Sequence, residues 1–523
     1  MTFSKRLSAT AIWVLVLMSC TTVGPDYVPP DDSWLEALEV SVYGESITVV
    51  SESESESESE ATLWWRQFDD PVLNALVEEA RSENPGLRIA GLRVLEARAL
   101  AAAAGSALYP QAQTVDVNAA YAKRSNGPGE SGFSSWDAGF TLGWELDFWG
   151  RFQRGIEAAD AAYFASLANQ RDAQVLLAAT VADIYWQYRV TEGRIVILNK
   201  NAELQSRSYD ITRQMFDAGQ QSELDLQQAR TQYLATLAVL PSLEQGAGQL
   251  ANALSALVGR APAEMQARLS DRPTGPTNLP SSHRVELTEL PATLIQRRPD
   301  VRASLWAVAA QSAQIGLAEA DYYPSIAIGG SIGWSGNSLT SQDSSGLLGV
   351  GPAVRWTIFD WGRISNNVRI QDARLQQAIE VYRNTVLNAA REINDASIAL
   401  DKTEQQRVLL AETVEASERA LEIASTRYRE GYADFQRVLD AQRVVFTQAD
   451  RKLQNDGQHL RAIVATYKAL GGGWSPDTMA DMLPTSVLRQ MQERSDWGEL
   501  QLLQVGDEQA SPIQSVPSEV ESK

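Results

Sequence analysis

Catalysis and metal binding need nucleophiles, titratable acids or ligand clusters at workable spacing, and this 523-residue chain supplies few of them. It has one cysteine, Cys20, and two histidines, His283 in a proline-rich stretch and His459 in a helical one. There is no Cys/His spacing suited to a metal and no phosphate-cradling glycine motif, and the carboxylates are scattered over helical segments, where such pairs are mostly solvated faces. The expectation is a protein that is not an enzyme and uses no cofactor and no metal. The one reactive group left is the Cys20 thiol, which has no second cysteine with which to close an internal disulfide.

What surrounds Cys20 gives it a chemistry. Lys5 and Arg6 are followed by an apolar run from Ala9 to Met18 and then Ser19, the layout of an export signal removed from the mature protein, so 1–19 is read as a cleaved signal peptide. Leu17-Met18-Ser19-Cys20 resembles the lipobox at which bacterial lipoproteins are cut and acylated, with Met18 an unusual member of it. That resemblance implies three acyl chains on Cys20, and Thr21 in place of aspartate favours outer-membrane sorting. Stable anchoring needs at least two chains, because each buried methylene adds only about 0.8 kcal/mol. No other stretch reaches the roughly 18 continuous apolar residues of a spanning helix, so any crossing of a bilayer must be made by β-strands.

The formal net charge is −21, more negative still once Lys5 and Arg6 are lost, which argues against nucleic acid or an anionic membrane face as partner. Part of that charge sits in the Ser-Glu run 51–60, read as a disordered insertion in an N-terminal segment 20–83, and the tail after Gln501 is similarly polar.

The elements that must do the work occur twice. Asn84-Pro85-Gly86-Leu87-Arg88 answers Arg298-Pro299-Asp300-Val301-Arg302, and Tyr109-Pro110 answers Tyr323-Pro324; after a small loop difference, Trp144 to Arg151 answers Trp356 to Arg363. Phe216 and Gly219 then match Tyr428 and Gly431, Ala229 matches Ala441, and Gly259 matches Gly471. The organisation that follows is repeat 1 over 84–260, a linker over 261–298, repeat 2 over 299–471 and a C-terminal segment over 472–523.

Within each copy the period changes. Alanine-rich helical stretches run from Asn84 to Leu108 and from Pro299 to Tyr322. From Trp136 to Phe148 every even position is apolar, and from Leu348 to Ile358 the even positions again carry the apolar residues, with Pro352 awkward enough to suggest an edge or bulge. Weaker alternation precedes each, over Thr114 to Tyr121 and Ser325 to Trp334. Proline-free helical stretches follow, Arg151 to Ala218 and Arg363 to Glu430, long enough for rods of roughly 100 Å. Return helices from Ser222 to Val258, kinked at Pro241, and from Ala433 to Leu470 complete the copies.

Four spanning strands cannot stand alone, because both edges would present unpaired backbone groups to hydrocarbon. Two chains would give about eight strands, whose interior fills with side chains, and three would give about twelve with room for a passage. A trimer is the smallest conducting solution.

These residues resemble the TolC-like outer-membrane factors, in the lipoprotein subgroup that pairs with resistance-nodulation-division (RND) pumps. The resemblance rests on Cys20 to Tyr27, Trp64-Trp65 with Phe68, Leu290-Pro291 followed by Arg297 to Arg302, the two Trp-Gly-Arg motifs, and Tyr428 to Gly431 continuing through Val438 to Arg443. It implies an α+β membrane protein: a homotrimeric 12-strand transmembrane β-barrel continued by a 12-helix periplasmic α-barrel, with two internal repeats per chain and an equatorial belt. It also implies a periplasmic adaptor (membrane fusion protein), an RND inner-membrane transporter, outer-membrane lipid around the barrel and no nucleic acid. By the same resemblance Asp440 looks like a constricting acidic ring, Asp225 with Tyr428 resembles a latch between helices, and Arg443 is a neighbouring tip residue. Arg437 stands where some relatives carry a second acidic ring, so a cation site of two rings is not implied. The function implied is passive efflux of small molecules from periplasm to exterior. Exit of secreted protein, heavy-metal efflux and a non-conducting coiled-coil lipoprotein scaffold are the other readings.

Overall fold

The computed structural model describes residues 22–31, 63–123, 132–270, 279–280, 295–337, 344–475 and 482–498. Cys20, His283, the Ser-Glu run and the tail after Gln501 lie outside the described residues.

After α1 (Pro71–Glu83) the chain runs through α2 (Pro85–Gly105), β1 (Ala112–Lys123), β2 (Gly132–Leu146), α3 (Arg151–Asp217), α4 (Glu223–Leu237), α5 (Leu240–Val258) and α6 (Pro262–Ser270). The same order then returns as α7 (Pro299–Glu319), β3 (Ser325–Gly336), β4 (Ser344–Arg355), α8 (Arg363–Arg429) and α9 (Phe435–Ala469), before a terminal α10 (Thr485–Arg494). α3 and α8 have 67 residues each, about 100 Å of rod.

Both rods stop by the same device. Gly219 and Gly431 sit at φ 71° and 80°, and the following amides reach back, Gln220 N to Met215 O and Tyr432 N to Arg427 O, each at 2.8 Å. This left-handed cap satisfies carbonyls that the helix end would otherwise orphan. On the way back, α4 ends at Leu237, four residues before Pro241. Proline clashes with the carbonyl four residues upstream and brings no N–H to it, so the hydrogen-bond ladder is interrupted there while Ala238 and Val239 keep right-handed helical dihedrals, which is the expected kink. α9 has Leu453 at the corresponding place and is continuous.

Each return helix meets the leading helix of its own copy end to end. Asn84 caps α2 by accepting from Leu87 N at 2.9 Å and donates from Nδ2 to Leu257 O at 2.8 Å. In the second copy Arg298 donates from Nη1 to Ala469 O at 2.7 Å, its guanidinium held by Asp300 and Glu392. Beside this joint an aromatic core gathers at mid-height: Trp64 stacks on Tyr467 at 5.3 Å, and Phe68 meets Trp186 at 5.1 Å. Asp70 caps α1 and receives both the Tyr185 hydroxyl at 2.7 Å and Arg189 at 3.0 Å, which clamps α1 to α3.

The strands form one antiparallel sheet in the order β1-β2-β3-β4. Its registers set Val115 opposite Phe140, Phe140 opposite Ile332 and Ile332 opposite Leu348, so the apolar alternation of all four strands falls on one face. β2 begins earlier and ends earlier than its alternation suggests, because Asp147 turns away to accept Phe152 N and Gln153 N at the head of α3. β4 likewise ends at Arg355, and Asp360 caps α8 through Gly362 N and Ile364 N. Pro352 sits in the outermost strand without a bulge, opposite Ile328, and so the edge reading of that proline holds.

Residues 22–31 cross the junction between sheet and rod. Val23 N donates to Trp149 O at 3.0 Å, and the buried Arg154 binds Val23 O, Gly24 O and, at 2.7 Å, Asp26. A Cβ on Gly150 would come within 2.4 Å of Thr22, and one on Gly24 within 2.3 Å of the Gly316 backbone, so the strap lies tight.

Candidate functional site

The two ends of the rods carry the features that matter. At the far end a small apolar cluster made of Ala229, Phe435, Val438 and Leu439, with Tyr209, Leu421, Ala424 and Tyr428 against it, draws α3, α4, α8 and α9 together. Tyr428 leans on Phe435 with ring centres 5.3 Å apart. Its hydroxyl donates to Met215 Sδ and accepts from Gln221 Nε2, both at 3.4 Å. Burial pushes the Tyr428 phenol up; the hydrogen bond from Gln221 opposes this and the Asp225 charge adds to it.

Asp225 occupies the first turn of α4, where Ser222 is the cap: Asp225 N donates to Ser222 Oγ at 3.2 Å and Ser222 Oγ donates to Asp225 Oδ2 at 2.6 Å. A carboxylate here faces the positive end of the helix. Asp225 and Tyr428 are thus brought near enough to interact electrostatically, while within one chain each makes its hydrogen bonds elsewhere. Asp440 lies on α9 and receives Arg443 Nη2 at 2.6 Å and Gln436 Nε2 at 3.4 Å. Arg443 and Asp440 are exposed, and such a surface pair contributes about 0.2–1 kcal/mol. Arg437 is also on the exposed side of α9.

The sequence reading missed the side chains that frame these residues: Met215, Gln221, Ser222 and Gln436, together with Gln442, which donates to Ser208 Oγ at 3.0 Å across to α3. Ser222 alone had a signal, the Ser-x-x-Asp spacing of a reciprocal helix cap. Higher up the rods, Arg194 grips Asp450 through Nε at 2.7 Å and Nη2 at 3.2 Å. His459 is buried, with Nδ1 3.0 Å from Thr403 Oγ1; burial lowers its basicity, as suits a core histidine between α8 and α9.

At the other end the sheet is open. Among the described residues β1 and β4 each pair on one side only, and Val115, Val117, Leu348, Val350 and Val354 on the apolar face are all exposed. The opposite face carries Thr114, Asp116, Asn118, Asp137, Thr141, Ser331 and a row of glycines, with Asn118 donating to Asp137 at 2.9 Å. A sheet with one greasy and one polar face separates oil from water but cannot close on itself with four strands. Among the described residues no helix is long and apolar enough to cross a membrane, and no His/Cys/Asp/Glu group could hold a metal.

Comparison with known proteins agrees with this geometry. A sequence profile described as outer membrane efflux protein matches residues 76–260 and again 290–472. The pyoverdine export outer membrane protein OpmQ of Pseudomonas putida is 28% identical over 425 residues, 79% of this chain and 89% of that protein. SilC of Salmonella typhimurium, a probable outer membrane lipoprotein, is 28% identical over 481 residues, 90% of this chain and 99% of that protein. The solved structure of the outer-membrane channel OprN superposes with a TM-score of 0.74 at 33% identity, covering 86% of this chain and 99% of that one.

Proposed function

The chain belongs to the outer membrane efflux protein family, and on that premise we propose that three copies close a 12-strand barrel in the outer membrane and a helical tube beneath it. The duct so formed is the exit of a tripartite pump: small molecules such as drugs or toxic compounds pass from an RND inner-membrane transporter, by way of a periplasmic adaptor, to the exterior. Lipid surrounds the barrel, and acyl chains on Cys20 add an anchor.

One observation carries this reading, the four-stranded sheet whose edges β1 and β4 are both unpaired beside an exposed apolar face. In hydrocarbon each unsatisfied backbone group costs several kcal/mol, and only closure removes the edges. The two profile matches support a duplicated chain, so that three copies present a near-sixfold tube. At its tip, Asp440 from three chains would form an acidic ring, held by Arg443 and Gln436, with Asp225 and Tyr428 fastening the neighbouring helices. Three carboxylates brought together repel, which makes such a ring a barrier that rearrangement of its hydrogen bonds can relieve.

Reconstitution of the acylated protein in a planar bilayer tests the proposal. Ion conductance from detergent-resistant trimers is expected, and a non-conducting monomer that dissolves without detergent would overturn it.

A further inference from the structure

The duplicated chain contains a template for its own assembly. Strand β1 maps onto β3 by 213 residues, Ala112 to Ser325 and Lys123 to Gly336, and β2 maps onto β4 by 212, Gly132 to Ser344. The mapping can be checked where both copies have the same junction. It carries the β1–β2 pair Ala112 with Gly143 onto Ser325 with Arg355, the pair found in the β3–β4 ladder. Just before the strands, where the offset is 214 as for Tyr109-Pro110 and Tyr323-Pro324, a side-chain contact repeats as well: Trp144 Nε1 donates to Leu108 O at 3.1 Å, and its equivalent Trp356 Nε1 donates to Tyr322 O at 3.0 Å.

One junction has no counterpart within the chain. Where copy 1 meets copy 2, β2 pairs with β3, and below the ladder Trp149 Nε1 donates to Pro324 O at 2.9 Å while its ring stacks on Tyr323 at 4.7 Å. The equivalents of these residues are Trp361 and Tyr109-Pro110, at opposite edges of the sheet. Trp361 is 100% exposed and Tyr109 71% exposed.

Resting on the channel reading above, we infer that β4 joins β1 of the next copy in the single register that β2–β3 prescribes, and that a clasp of Trp361 on the partner subunit's Tyr109 and Pro110 locks it. In that register Val350, Pro352, Val354 and Trp356 face the partner subunit's Tyr121, the partner subunit's Ala119, the partner subunit's Val117 and the partner subunit's Val115. The apolar face therefore stays continuous across the seam, whereas a slip of one residue would turn it to the polar side.

Charge gives independent support. Gly143 opposite Gly329 becomes Arg355 opposite the partner subunit's Asp116. Among the described residues Arg355 is exposed and has no acidic partner in its own chain, and Asp116 is exposed at the other edge with only Thr114 bonded to it. Opposite charges facing each other across neighbouring strands favour one pairing over its neighbours. Two copies of glycine at the internal junction are thus replaced at the external one by a complementary pair, which allows a copy to recognise another copy.

Disulfide trapping in the full-length acylated protein in its membrane tests this. Asn118→Cys with Ala353→Cys places two thiols on directly opposed positions, so oxidation should yield covalent dimers and trimers on denaturing gels. Asn118→Cys with Gly351→Cys or with Arg355→Cys, displaced by two residues on the same face, should yield at least about tenfold less, as Cα atoms beyond about 7 Å cannot be bridged. Independently, Arg355→Asp should lower the heat-resistant trimer about tenfold and Asp116→Arg in the same chain should restore it. Likewise Trp361→Ala and Tyr109→Ala should lower the trimer's dissociation temperature by similar amounts, and the double variant by little more. Intact trimers in which a displaced pair links equally well, or no pair links, or the charge exchange fails to restore assembly, would overturn the register. Absence of trimers and of conductance in the unaltered chain would instead count against the channel reading itself.

Discussion

Arg298 donates to the carbonyl of Ala469 at 2.7 Å, and in the other copy Asn84 donates to the carbonyl of Leu257 at 2.8 Å. In both, the residue that opens the leading helix satisfies a carbonyl at the end of the return helix, so two separate helices behave as one column. The shorter side chain does two tasks, since Asn84 Oδ1 also caps α2. Asn84→Ala should therefore cost about 1–2 kcal/mol in unfolding of the detergent-solubilised protein. Asn84→Asp keeps the cap and loses only the donor, so a smaller loss is expected; equal losses would show that the joint to Leu257 carries the effect.

A titration should report on the second joint. Asp172 is half-buried, and burial, reinforced by Asp300, pushes its carboxyl up to about 6, with Arg298 and Lys468 opposing. An acid whose pKa is higher in the folded than in the unfolded protein destabilises the fold when ionised. The penalty is absent below about pH 4 and grows until the pH passes about 6. Asp172→Asn should stabilise the protein at pH 7, by about 3 kcal/mol at most, and leave it nearly unchanged at pH 4. Denaturant unfolding at the two pH values checks this, and a gain equal at both would refute the assignment.

The crossing of α9 over α3 is close. A Cβ on Gly457 would lie 2.3 Å from Val190 Cγ2, so Gly457→Ala should destabilise by about 1–3 kcal/mol through overpacking. Val190→Ala in the same chain makes room, and most of the loss should be recovered in the double variant when thermal midpoints are compared.

At the tip, Asp440→Ala removes the carboxylate that Arg443 and Gln436 hold. Reconstituted trimers carrying it should show a higher resting conductance, with little change in stability because the pair is exposed. Unchanged conductance would remove Asp440 from the gate and leave the duct intact.

Much of the architecture was legible because it rests on period and punctuation. The alternation from Trp136 and the glycines Gly219 and Gly431 mark strands and turns by local physics, and the repeat fixes corresponding positions. The limits were equally physical. β2 and β4 stop short of Phe148 and Ile358 since aspartates compete for the chain to cap the next helix, and the alternation of apolar residues carries no trace of that competition. The tip residues Asp225, Tyr428, Asp440 and Arg443 came from resemblance, not from pattern. Their partners Met215 and Gln436 on helices and Gln221 in the turn between α3 and α4 are ordinary residues by type, whose importance appears only when four helices converge.

The strap over Gly150 has a mechanical outcome. Thr22 rests against that glycine, the residue that opens α3. The strap is thereby moored at a set height on the rod, and a twist of α3 would be transmitted along it through the grip of Arg154.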